Sequence, residues 1–248
     1  MLPHEFLAAM WEFNRGEFKK CCLGTAPLSN FWDNVERDSL QLAGHPLLGM
    51  HDFVQKAIPL RMHGDGVPIG TKRGRTLDVI SLSSMVGFRG VSWDVKWLLF
   101  AIVDAAKYKP TDDEGTATMD HVWTILLWSF RVLLKGVWPR RDWNGNALTG
   151  WRWDKRDQPL CGGYIFVIWN ICADLDYACN YLKLQHFGHG TNPCFRCMAN
   201  RTSMPFTDLR LSAAWRQHLV DRLMWFFLTK HLLFSDPEVE IDCLARDV

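Results

Sequence analysis

Four apolar stretches of strand length and one long helical period, in a set order, constrain this chain more than anything else in it. The stretches are Ile58–His63, Leu77–Leu82, Trp97–Val103 and Tyr164–Ala173. Helical periodicity covers Thr118–Lys135, between the third and fourth stretches, and Gly136 and Pro139 stop it. The order is therefore strand, strand, strand, helix, strand. Trp97-Leu98-Leu99-Phe100-Ala101-Ile102-Val103 is apolar throughout, as a central strand would be. Pro59 sits near the start of the first strand, where a missing backbone donor is tolerated.

Two of these strands end in an aspartate. Asp65 closes the first within His63-Gly64-Asp65-Gly66, and Asp174 closes the fourth after Ala173. An acid ending the first and fourth strands of this order is the layout of an RNase H-like nuclease core. The expected fold is accordingly α/β, a mixed sheet with flanking helices. Two carboxylates brought together by adjacent strands can hold the divalent metals that phosphoryl transfer needs. Each acid also has a plainer explanation. Asp between glycines favours turns, and Asp174 can cap the helix that follows it. Asp176, inside that helix start, needs no more than a favourable place in the helix dipole.

With 48% hydrophobic and 22% charged residues, the 248-residue chain belongs to the folded globular class. A net charge of +1 does not mark a nucleic-acid binder, so any such role rests on local patches. Thirteen Trp residues point to extensive aromatic packing and to stacking surfaces. The N-terminus has neither a basic start nor an apolar core of the kind that targets secretion. The eight cysteines are therefore expected in a reducing compartment, nuclear or otherwise intracellular, where close spacing reads as metal or redox chemistry. The most apolar segment, Val122–Trp138, carries Arg131 and Lys135, so a buried helix is expected and no membrane partner.

Three regions flank the strands. Residues 1–57 read as a helical N-terminal appendage, with Pro3 in a first turn and Phe6, Leu7, Met10, Trp11 and Phe13 as an apolar stripe, ahead of a core spanning 58–248. Residues 139–160 read as a basic, Trp-rich excursion with Arg140, Arg141, Trp151, Trp153, Lys155 and Arg156. It could follow a phosphate backbone while an indole stacks on bases, or be a solvated loop with aromatic anchors. Lys72, Arg73 and Arg75 carry the same ambiguity. Within 186–200, His186 and His189 precede Cys194-Phe195-Arg196-Cys197, a small zinc-knuckle-like insertion in which Cys194 and Cys197 are the stronger zinc ligands. A reduced thiol pair beside two solvated histidines is the alternative.

The stretch Leu60-Arg61-Met62-His63-Gly64-Asp65-Gly66, with Trp128-Ser129-Phe130, Ala173-Asp174-Leu175 and Pro193-Cys194-Phe195-Arg196-Cys197, resembles the catalytic region of cut-and-paste DNA transposases of the CACTA and Plavaka type, and related transposon-like proteins of protists. The resemblance covers about residues 55–248. It implies a three-carboxylate enzyme of a transposable element, acting in DNA recombination, with Mg²⁺ or Mn²⁺ as cofactor and DNA as partner. Asp65 and Asp174 occupy two of the three positions. The family has Gly-Asp-Leu where this chain has Ala173-Asp174-Leu175, which leaves the acid in place. Its third acid is followed closely by His; here Asp247 is followed by Val248, where the sequence stops, so the expectation includes a core incomplete at the C-terminus, a fragment or an inactive copy.

Three functions stand as expectations: a transposase-like nuclease core, a non-catalytic zinc-stabilised nucleic-acid-binding module, and a protein-interaction module using the Trp-rich surface. Homo-oligomerisation is compatible with each.

Overall fold

A computed structural model describes residues 1–35, 45–68, 76–87, 96–103, 117–173, 177, 199–200, 202–205 and 207–217. They fall into two compact units, Met1–Glu36 with Pro46–Tyr177, and Arg37–His45 with Ala178–Val248.

The first unit opens with helices α1 (Pro3–Phe13) and α2 (Arg15–Phe18), a π-helical turn at Lys19–Leu23, α3 (Leu28–Asp33) and the single turn α4 (Phe53–Lys56). Pro3 takes the first position of α1, where its missing N–H is no loss, and Glu5 reaches back to accept from the Leu2 N–H at 3.2 Å. Strands β1 (Ala57–Pro68), β2 (Thr76–Ser84) and β3 (Trp97–Val103) follow, then the long helix α5 (Ala117–Lys135) and β4 (Ile165–Ala173). Gly136 ends α5 as expected. It adopts φ +68° and its N–H returns to the Val132 carbonyl, a conformation that costs glycine little.

The strands form one mixed sheet in the order β3-β2-β1-β4. β2 is antiparallel to β1 and β3, whereas β4 lies parallel to β1. A parallel neighbour needs a long connection, and α5 lies within it. β1 meets β2 only from Leu60 onward, so Pro59 precedes the doubly paired part of its strand. The α/β class and the flanking helices thus match the order of apolar stretches.

Both sheet faces are partly covered by the N-terminal helices. One face buries Ile58, Leu60, Met62, Ile80, Leu82 and Phe166, with Phe18 meeting Phe166 ring to ring at 6.2 Å. On the other, Ala57, Ile165 and Val167 form a cluster with Trp32 and Leu47, joined by Trp169 and by Leu134 of α5. The Trp32 indole N–H donates to the Ala57 carbonyl at 2.9 Å, satisfying the ring's one polar atom in an otherwise apolar layer.

α1 is tied to α5 through His4, which is 1% exposed. The Ser129 hydroxyl oxygen accepts the His4 backbone N–H at 3.2 Å and lies 2.7 Å from His4 Nδ1. An oxygen already accepting one N–H can direct its own proton to Nδ1, which keeps the imidazole neutral. Trp128 and Trp138 flank the ring edge-on, at 5.0 and 5.7 Å. The end of β2 is joined to the π-helical turn by Ser84, whose hydroxyl donates to the Cys22 carbonyl at 2.7 Å and accepts the N–H groups of Val86 and Gly87. Ser84→Ala leaves three backbone groups short of a partner, so a loss of about 1–2 kcal/mol is expected, readable as a lower urea midpoint.

In the second unit the described residues include an Asn200 turn, whose side-chain oxygen accepts from the Thr202, Ser203 and Met204 N–H groups. The Trp215 indole donates to the Asp208 carbonyl at 2.7 Å. Hydrogen bonds from Arg210 hold the Asp208 carboxyl at about 2. No helix among the described residues is long and apolar enough to cross a membrane.

Candidate functional site

β1 changes character halfway along. Its inward positions remain apolar through Leu60 and Met62, but the other face passes from buried Ala57 and Pro59 to Arg61, His63 and Asp65. Because successive side chains alternate, these three share one face with one residue between each. Arg61 is exposed; His63 and Asp65 are half-buried.

Cross-strand registers complete this face, on which Ser81 is buried. Arg61 lies between Ser83 of β2 and Asn170 of β4, and His63 between Ser81 and Cys172. The Cys172 thiol donates to the Asn170 side-chain oxygen at 3.4 Å, so both point to the same side. Asp65 stands opposite Val79. The result is a polar terrace three strands wide, next to the Trp32 cluster and ending at Asp65. None of the terrace neighbours was singled out from the sequence; their signal was the polar residue at every second position after Pro59.

The β1–β4 register contains a one-residue shift. Ala57 to Leu60 pair with Ile165 to Ile168, but Arg61 to Gly64 pair with Asn170 to Ala173. Trp169 is the extra residue, a β-bulge, and its side chain packs on the Val167 and Trp32 cluster, 5.1 Å from the Trp32 ring.

Of the carboxylates singled out from the sequence, Asp65 is described. Among the described residues it forms no ion pair or side-chain hydrogen bond, so no protein cation occupies its carboxylate. Asp174 and Asp247 lie outside the described residues, as do His186, His189, Cys194 and Cys197 of the expected zinc segment and Lys72, Arg73 and Arg75. Among the described residues no three His, Cys, Asp or Glu side chains are gathered as a metal site. A further buried acid, Asp78, lies on β2 opposite Gly66, on the face away from Asp65. It does not join the terrace.

The basic excursion spends its charge internally. Arg140 pairs with Asp157 at 2.8 Å, Arg152 with Glu5 at 2.6 Å and Lys155 with Glu12 at 2.6 Å. Arg141 donates to the Gly145 carbonyl and Arg156 to that of Trp153. Lys155 lies 5.1 Å from the Trp138 ring centroid and Arg156 4.1 Å from that of Trp153. Trp151 and Trp153 stay 50% and 39% exposed, the part of the excursion open to a stacking partner. Comparison with family models, with curated proteins and with solved structures returned no match to this chain.

Proposed function

We propose that this chain is a transposase-like nuclease core of RNase H-like fold, acting on DNA through divalent metal held by Asp65 and Asp174. The observation that carries this is the β1–β4 register. Gly64 pairs with Ala173, and each is followed directly by an aspartate. The bulge matters here. Had the register of Ala57–Leu60 run on unshifted, Asp65 would have met Ala173 instead. Neighbouring carboxylates repel unless a cation or a proton lies between them, and a divalent metal is the cation this proposal assigns to Asp65 and Asp174.

The strand order, with β4 parallel to β1 across α5, supports the fold. Asp65, unpaired with any described cation and only half-buried, is chemically suited to Mg²⁺ or Mn²⁺, which prefer oxygen ligands and keep several waters. When bound, such ions supply Lewis acidity and an activated water. Asp247 is the third acid that the transposase resemblance implies, and Cys194, Cys197, His186 and His189 its zinc segment.

The test uses the full chain and supercoiled plasmid in Mg²⁺ or Mn²⁺. Nicking is expected that EDTA abolishes and that Asp65→Asn lowers at least a hundredfold, with Mn²⁺ binding followed separately by electron paramagnetic resonance titration. Equal nicking and equal Mn²⁺ affinity in wild type and Asp65→Asn would overturn the proposal.

A further inference from the structure

We infer that the terrace Arg61–His63–Asp65 is a phosphate-binding track for one DNA strand, with Arg61 as the positioning residue that holds the backbone at a phosphate away from the reacting one. This rests on the nuclease proposal for Asp65 and adds where the strand runs.

Three observations carry it. First, Arg61 is exposed in mid-strand, between Leu60 and Met62, which are 0% and 1% exposed. A long cation there is held by two-sided backbone pairing, so its origin is fixed while its guanidinium stays free to reach solvent. Second, among the described residues Arg61 has no acidic partner, unlike Arg140, Arg152 and Lys155, whose carboxylates lie within 2.8 Å. The cross-strand neighbours, Ser83 and Asn170, are uncharged hydrogen-bonding groups that leave its charge uncompensated. Third, the spacing is set. Arg61 and Asp65 are four residues apart on one strand face, about 13 Å at strand rise, so a phosphate at Arg61 is a different one from that at Asp65. His63 lies between them, half-buried on the same face, where its ring offers a base a stacking partner. A guanidinium matches a phosphate through two parallel hydrogen bonds, which orients the strand as well as holding it.

The experiment measures binding of a fluorescein-labelled 20-nucleotide single-stranded DNA to the full chain, by anisotropy, in EDTA and at several salt concentrations. Arg61→Ala is expected to weaken binding about tenfold and to lower the slope of log affinity against log salt by nearly one, the loss of a single phosphate contact. Arg61→Lys keeps most of the slope, because a point charge remains, and His63→Ala weakens binding with the slope unchanged. Unaltered affinity and slope in Arg61→Ala would overturn the track, as would equal weakening of poly-glutamate binding, which would reassign the surface to an acidic protein segment. Mn²⁺ titration without DNA separates the two proposals. Loss of Mn²⁺ in Asp65→Asn alongside unchanged DNA binding in Arg61→Ala overturns the track alone, whereas full Mn²⁺ binding in Asp65→Asn overturns the carboxylate site.

Discussion

Gly64→Val is expected to destabilise the first unit by about 4 kcal/mol, although valine is the better strand former. The ring of Tyr177 lies against Gly64, so that a Cβ there would overlap three ring atoms. Tyr177 is 2% exposed and has little room to withdraw. Overpacking by a small group typically costs 1–3 kcal/mol, and displacing a buried aromatic ring a further few. Gly64→Ala should therefore lose about 2–3 kcal/mol where strand propensity alone would gain about 0.5–1. Urea unfolding followed by tryptophan fluorescence reads the change. In a Tyr177→Ala background the same Gly64→Ala substitution should lie within about 1 kcal/mol of neutral, since the two sites are in contact and couple. A Gly64→Ala protein as stable as the wild type would show that the ring does not rest on β1.

Acidification provides the second large effect, through His4. Burial, the largest cause, pushes its imidazole down from 6.5 to about 4; nearby Glu5 opposes the shift and Arg152 adds to it. The unfolded chain therefore takes up a proton at a higher pH than the native one does. The stabilising contribution is complete above pH 6.5 and declines as pH falls towards 4, by about 3 kcal/mol on the shift of His4. Glu5 acts in the same direction at lower pH. Burial would raise it, but the Arg152 hydrogen bond and charge and the Leu2 N–H hold it below its ordinary value. Stability measured by urea unfolding from pH 7 to 4 should drop steeply in the wild type and much less in His4→Gln, which begins lower for want of a well-placed ring. Parallel curves for the two proteins would exclude His4 as the cause.

The elements that position the site were legible because their patterns are local. β3 occupies the expected residues, and α5 and β4 begin within one residue of expectation. β3 is an unbroken apolar run, β4 a nearly unbroken one, and α5 keeps its helical period up to the stop at Gly136. β1 and β2 run beyond their apolar stretches, to Pro68 and from Thr76, because pairing between them carries strand geometry into Gly66, Val67 and Pro68. What stayed hidden depends on distant partners. The contact of His4 with Ser129 joins residues 125 apart and has no local signature. Asp78 stands between Leu77 and Val79, and because both faces of β2 carry apolar residues, alternation does not tell which is covered. Arg61 and His63 carry only the weak signal of alternation with Asp65, and the registers add the neighbours Ser83, Ser81, Asn170 and Cys172 that no local pattern reveals.

Trp169 gives β4 two independently phased halves. The apolar half is held by the aromatic cluster, the polar half by its ladder with Arg61–Gly64. Losing Trp169 would join Ile168 to Asn170 without altering either pairing, so the strand can shed that residue at the expense of packing alone. A single-residue insertion or deletion anywhere from Asn170 to Ala173 would instead invert the chemical end of the strand. Tolerance to length changes along β4 should therefore be lopsided, permissive at one residue and unforgiving in the four that follow.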